Sequence, residues 1–124
     1  MQTNDANYLF YELIENSNDF IYTINDNGFI SYANNKFLAF LGISVQEIIK
    51  THYTDIVHKD HKDYVLNFYK NQLKFKKENT YLEFITVNKM GEELWIGQEV
   101  KTLFTSGLFS CYYVIARDIN KAIV

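Results

Sequence analysis

Residues 25–42 read Asn-Asp-Asn-Gly-Phe-Ile-Ser-Tyr-Ala-Asn-Asn-Lys-Phe-Leu-Ala-Phe-Leu-Gly, and this stretch decides the fold. Asn25, Asp26, Asn27 and Gly28 are residues that accept the positive φ of a tight hairpin. From Phe29 to Ala33 the chain alternates Phe29, Ser31 and Ala33 against Ile30 and Tyr32, the period of a strand. Asn34 or Asn35 can accept hydrogen bonds from the free N–H groups of a helix start. Phe37, Phe40 and Leu41 then share one helical face, and Gly42 stands where helices commonly end in the left-handed conformation. A hairpin corner is thus joined directly to a helix.

On the N-terminal side, Phe20 to Ile24 forms the strand that pairs with 29–33. A polar break at Asn16 to Asp19 precedes it. Residues 4–17 read as a helix capped by Asn4 or Asp5, with Ala6, Leu9, Phe10, Leu13 and Ile14 on one face. Tyr8 and Tyr11 widen the apolar surface beyond what one contact needs. Two readings stand: a packed terminal helix, or a helix that also joins a dimer interface.

On the C-terminal side, Ser44 with Glu47 three residues later is a capping box, opening a short helix through Lys50. Residues 51–60 are irregular, with Tyr53, Ile56 and Val57 turned inward. Asp60 can cap a helix over 61–77, with Val65, Phe68, Tyr69 and Leu73 along one side. Strands follow over 80–88, 93–104 and 108–119, separated by turns at Lys89-Met90-Gly91 and Thr105-Ser106-Gly107. Strands at both ends with helices between predict an α+β fold: one five-stranded antiparallel sheet, helices packed on one face, and the N-terminal helix on the outer face.

At 124 residues the chain is one domain. Ten tyrosines and ten phenylalanines suit strands and a wide interior. A net charge of −3 without a basic block argues against nucleic acid and anionic membranes as partners. No apolar run is long enough to span a bilayer, and no charged n-region leads into an apolar one, so a secretory signal is not expected. The lone Cys111 rules out an internal disulfide and fits a reducing, cytoplasmic setting. It reads as a small, half-buried apolar residue. Hydrolase triads, a paired catalytic cysteine and histidine, and Gly-rich phosphate loops are absent from the sequence, so no enzyme is expected.

Several short motifs carry a family resemblance. They are Asn27 to Asn34, the Phe37…Gly42 helix, Ser44…Glu47, His58 with Asp60, Lys89-x-Gly91 followed by Trp95, and Ala116-Arg117-Asp118-Ile119-Asn120. In this order the chain resembles a PAS domain over nearly its whole length. Lys59 replaces a common proline and Asn120 a common threonine. The resemblance implies a sensory or dimerisation module, upstream of an output such as a histidine kinase. No output domain is legible, so the chain reads as a piece of a longer protein or as a module acting in trans. The expected organisation is a cap or dimerisation helix at 1–18, the PAS domain at 19–120 and the start of a linker at 121–124.

The family's register turns Thr86, Ile96, Gln98, Tyr112, Val114 and Ala116 inward, and strand alternation groups Phe84 with Thr86. Facing them from the helices are Phe37, Phe40, Leu41, Ile56, Val65 and Phe68 or Tyr69. This set is the expected ligand pocket. It contains no Asp, Glu or His to form an acid–base pair. Gln98 either bonds buried backbone or water, or orients a ligand. The outer face carries Ile85, Val87, Trp95, Tyr113 and Ile115, a patch the N-terminal helix or a second copy should cover. Cap and dimer contacts are therefore assigned to Tyr8, Leu9, Phe10, Tyr11, Leu13, Ile85, Trp95, Tyr113 and Ile115, and a homodimer is the expected partner state. Signal exit is assigned to Arg117, Asp118 and Asn120, toward a downstream output domain.

No cofactor is expected. The flavin-contact positions of related light sensors read Thr86, Ile96 and Ala116 here, and Asn35-Lys36-Phe37-Leu38 lacks the reactive cysteine. By the family's alignment Leu66 falls near the place of a haem ligand, where a histidine would be required. His52, His58 and His61 with Asp55 and Asp60 can be drawn as a metal cluster, but a capping Asp60 with solvated or locally bonded histidines is the simpler reading. Two functions remain: a small-molecule sensor, or a ligand-free interaction module whose rings fill the cavity.

Overall fold

The computed structural model describes residues 2–119. Asn120 and the expected linker therefore lie outside the described residues. The element order is α1 (Gln2–Glu15), β1 (Phe20–Asn25), β2 (Ile30–Ala33), α2 (Asn35–Leu41), α3 (Val45–Ile48), two 3-10 turns (Tyr53–Ile56 and Lys59–His61), α4 (Lys62–Lys74), β3 (Asn79–Val87), β4 (Glu93–Thr105) and β5 (Leu108–Asp118). The strands form one five-stranded sheet in the order β2-β1-β5-β4-β3. Every neighbouring pair is antiparallel. Helices α2 to α4 close one face, and α1 lies outside.

The sequence logic of residues 25–42 holds, with one refinement. Gly28 has φ +87° and Gly42 φ +70°, as the turn and the helix end require. Strand β2 begins one residue later than its alternation predicts, because Phe29 bridges to His52 instead. Tyr32 pairs with Thr23 and Ile30 with Ile24, so Ser31 is an extra residue in the ladder. This bulge turns both Ile30 and Ala33 inward, although strict alternation would put them on opposite faces.

The Ser44–Glu47 capping box is present, with Glu47 N–H donating to Ser44 Oγ at 3.1 Å and Ser44 N–H to Glu47 Oε1 at 3.0 Å. The helix it opens is short, ending at Ile48 rather than at Lys50. The long helix spans 62–74 rather than 61–77, since Lys76 takes a left-handed φ of 51° and stops it. Asp60 does not cap it. His58 accepts from Asp60 N–H at 3.0 Å and caps the preceding 3-10 turn. His61 reaches over the sheet edge, where its Nδ1 accepts from Ile85 N–H at 3.0 Å and its ring lies 5.5 Å from Trp95. That contact half-buries Trp95 and Ile85, which the alternation had left to an outside cover.

The core sits between the sheet's inner face and α2–α4. Its largest fully buried side chains include Tyr22, Phe37, Phe84, Leu82, Ile96, Gln72 and Gln98. On α4 the inward face is Val65, Tyr69 and Gln72, whereas Leu73, expected inside, is 37% exposed. Steps of four and three residues keep 65, 69 and 72 on one stripe, and 73 falls a further 100° around the helix. The buried Gln72 amide is satisfied: Nε2 donates to Val100 O at 3.1 Å and to Thr102 Oγ1 at 2.8 Å, and Oε1 accepts from Thr80 at 2.5 Å.

Candidate functional site

The residues assigned to the interior gather as the register requires. Phe37, Leu41, Ile56, Val65, Phe84, Thr86, Ile96, Gln98, Tyr112, Val114 and Ala116 are buried, and Phe40 and Phe68 pack against them partly exposed. Alternation groups the strand residues, and the family's register chooses which group turns inward: on that face Phe84 pairs with Ile96, Thr86 with Leu94 and Gln98 with Leu82.

Polar groups in this interior bond one another. Tyr22 donates to Gln98 Oε1 at 2.6 Å, and Gln98 Nε2 donates to Tyr69 Oη at 3.0 Å. Gln98 is thus held by two phenols. Tyr112 Oη donates to Tyr69 O at 3.3 Å, linking β5 to α4. Thr86 donates to Ile56 O at 2.6 Å, so the one hydroxyl among the flavin-contact positions is engaged. No buried side-chain polar atom among the described residues lacks a partner. Burial raises the pKa of Tyr22 and Tyr69 well above the ordinary phenol value, since an ionised ring would lose its hydration there. The same cause pushes Tyr112 up to about 12. The chemistry of this interior is that of neutral hydroxyls and rings.

Sequence reading missed the tyrosine–glutamine chain. Its signal was available in part: Tyr22 shares a strand face with Phe20 and Ile24, both buried. That Tyr22 and Tyr69 would meet Gln98, 76 and 29 residues away, is set by the packing of α4 across the sheet.

At one end of the core the half-buried Tyr53 and Phe109 lie at the surface, with Tyr69 and Tyr112 nearly buried beneath them. A cleft of about 200 Å³ opens there between the β1–β2 turn (Asn25, Asp26, Asn27, Gly28), Tyr53, the C-terminal half of α4 (Tyr69, Lys70, Leu73) and the start of β5 (Phe109, Tyr112). Ring centroids of Tyr53–Tyr69, Tyr69–Tyr112 and Phe109–Tyr112 are 4.7, 4.8 and 4.8 Å apart. Two further clefts are larger. One of about 570 Å³ lies at the chain exit, between Phe20, Lys36, Phe40, Leu94, Arg117 and Asp118. The other, of about 390 Å³, lies between Ile43, Glu47, Ile56, Val87 and Lys89.

At the exit, Arg117 pairs with Asp19 at 3.2 Å, both at the surface, and tethers the end of β5 to the segment before β1. Outside the core, α1 is held at its C-terminal end. Tyr32 donates to Glu15, and Asn34 Nδ2 donates to Ile14 O and Asp19 O, both at 2.9 Å. Burial and the facing Glu15 carboxylate raise the Tyr32 pKa. The apolar side chains of α1 remain exposed: Leu9 by 58%, Phe10 and Leu13 by 61% each, with Tyr8 and Tyr11 also open. On the sheet's outer face Tyr113 and Ile115 are 41% and 40% exposed. His58 and His61 lie with ring centroids 5.8 Å apart, but among the described residues no group of three His, Cys, Asp or Glu is placed to hold a metal ion.

A family model described as the PAS fold matches residues 8–119. The chain belongs to the PAS family. Solved structures agree with this assignment. The PAS domain of a protein from Colwellia psychrerythraea superposes with a TM-score of 0.84 at 17% identity, covering 95% of this chain and 100% of that one. A domain of the sensory box sensor histidine kinase/response regulator from Geobacter sulfurreducens gives 0.74 at 16% identity, covering 94% and 96%. The PAS domain of a LuxR-family transcriptional regulator from Burkholderia thailandensis, solved in complex with ethanol, gives 0.71 at 10% identity, covering 89% and 96%. No curated protein sequence matches the chain. No helix among the described residues is long and apolar enough to cross a membrane. As a PAS domain the chain is a non-catalytic signalling module.

Proposed function

We propose that this PAS domain is the sensory and assembly module of a larger cytoplasmic signalling protein, and that two copies associate through α1 and the sheet's outer face. The observation that carries the reading is the helix itself: Leu9, Phe10 and Leu13 are each more than half exposed. Contiguous apolar side chains in water favour a cover. The outer sheet face carries Glu83 and Glu99 beside Lys101 and Arg117, so its charges balance, and the apolar side chains rather than net charge favour the association. The ends of two β-strands and α1 meet near Asp19–Arg117, so a change in assembly would bear on the chain exit.

Sedimentation of the full chain tests this. A dimer is expected, and the double substitution Leu9→Glu with Leu13→Glu should weaken it by on the order of a hundredfold or more, since each buried leucine contributes about 2 kcal/mol. A full chain that stays monomeric at high micromolar concentration would overturn the reading.

A second reading, small-molecule sensing, is favoured by the cleft beside Tyr53 and Phe109, whose floor is formed by the nearly buried Tyr69 and Tyr112. An occupant would act on the apolar interior, and Arg117 and Asp118, with Asn120 beyond them, would pass the change to an output such as a histidine kinase. A ligand shifts the module only to the extent that it binds its two states unequally. The ethanol complex of the Burkholderia thailandensis domain is in keeping with a small occupant.

A further inference from the structure

We propose that the cleft between the β1–β2 turn, α4 and the start of β5 binds a small planar aromatic molecule bearing a hydrogen-bond acceptor. The proposal rests on the sensing reading above and gives it a place outside the closed interior. Three observations carry it. First, two half-buried rings, Tyr53 and Phe109, flank about 200 Å³ above the nearly buried Tyr69 and Tyr112, a volume suited to one or two fused rings rather than a larger cofactor. Offset and edge-to-face contacts favour a flat ring there over an aliphatic body of the same size.

Second, the Tyr53 hydroxyl makes no hydrogen bond to any described residue. The Tyr53 backbone N–H donates to Gly28 O at 3.0 Å, and its ring stacks on His52, with centroids 4.7 Å apart. The side chain is therefore fixed while its O–H is left to donate to something outside the protein. The other phenols of the group are occupied, Tyr69 by Gln98 and Tyr112 by the Tyr69 carbonyl. Third, the rim carries both Asp26 and Lys70, so neither a cation nor an anion is favoured by net charge, and a neutral or weakly polar ligand fits.

The cleft also touches the groups that tie the core together. Tyr69 bonds Gln98 on β4, and Tyr112 joins α4 to β5, the strand that ends at Arg117 and Asp118. An occupant that moved either ring would bear on the strand leading to the exit.

The experiment is a backbone and methyl NMR titration of the full chain with 4-methylphenol, with cyclohexanol as a control of similar size and polarity but no ring current or π face. Saturable shifts are expected at residues 25–28, 53, 69, 109 and 112, with cyclohexanol at least tenfold weaker. Tyr53→Phe should keep the spectrum of a folded core and weaken 4-methylphenol about fivefold, the effect of one hydrogen bond. Phe109→Ala should weaken it without altering the Tyr22–Gln98 contact. Equal binding of cyclohexanol, an unaffected Tyr53→Phe, or no saturable shift at millimolar ligand would overturn the proposal. Shifts confined to Ile96 and Val114 methyls would overturn it too, while leaving interior sensing intact; the dimer test is independent of both.

Discussion

Asn34 illustrates how one polar side chain can join three elements. Its Oδ1 accepts from Ile21 N–H at 3.1 Å and from Phe37 N–H at 3.3 Å, and its Nδ2 donates to Ile14 O and Asp19 O. It is fully buried, so water cannot replace any of these bonds. The sequence showed only half of this, the N-cap of α2. The other half depends on the end of α1 coming back over β1, which no local pattern encodes. Asn34→Ala should therefore cost more than a cap alone, about 3 kcal/mol by chemical denaturation, because it strands buried backbone groups on both sides. Asn34→Asp, which keeps the acceptor and loses the donors, should restore the cap and still leave the Ile14 and Asp19 carbonyls unpaired. If both variants cost no more than a surface cap, the residue does not tie α1 to the domain. Gln98 teaches the complementary lesson: its inward placement was legible from alternation, and its partners were not.

At the scale of elements, the β1–β2 corner is fitted against the segment that follows α3. Tyr53 N–H donates to Gly28 O and Ile30 N–H to Thr51 O, at 3.0 and 2.9 Å. Gly28 has φ +87°, and a Cβ there would overlap His52 Nε2. His52 cannot withdraw freely, since its Nδ1 accepts from Thr54 N–H and its ring lies edge-on to Phe29. Gly28→Ala should cost about 2 kcal/mol or more, from backbone strain plus the collision. Adding His52→Ala should recover the collision part and leave the strain, a positive coupling in a double-mutant cycle. Additive costs would show that the two residues do not press on each other. Gly97 is a useful contrast: a Cβ there meets the far end of the exposed Tyr81 side chain, which can swing away. Helix boundaries were the least legible feature at this scale. The 61–77 prediction was shortened at both ends by a 3-10 turn capped by a histidine and by the left-handed Lys76, neither of which leaves a periodic signal.

For the whole molecule, the buried tyrosines predict an alkaline limit to stability. Burial raises Tyr22, Tyr69 and Tyr112 above the ordinary value of 10.0, Tyr112 to about 12. Below pH 10 the folded and unfolded chains both keep these protons, and the contribution is complete. Above it the unfolded chain releases protons that the folded chain retains, so stability falls as pH rises toward and through the folded values. Denaturant midpoints between pH 9 and pH 12 should decline with net proton release on unfolding, and Tyr112→Phe should flatten part of the slope. A midpoint independent of pH over that range would contradict the buried placement. The sequence by itself determined the element order, the antiparallel sheet, the capping box, the turn glycines and the inward set of β3 to β5. Most of these are written in a local period or a local cap, where residues a few positions apart share one face, while the resemblance to the PAS register chose which alternating set of β3 to β5 turns inward. Tertiary structure alone decided that the interior phenols bond Gln98, that Gln72 rather than Leu73 faces the core, and that Tyr53 keeps a free hydroxyl at a ring-lined cleft. These depend on which side chains meet across the sheet from distant parts of the chain, and such meetings are fixed by packing density and the need to satisfy every buried polar group rather than by spacing.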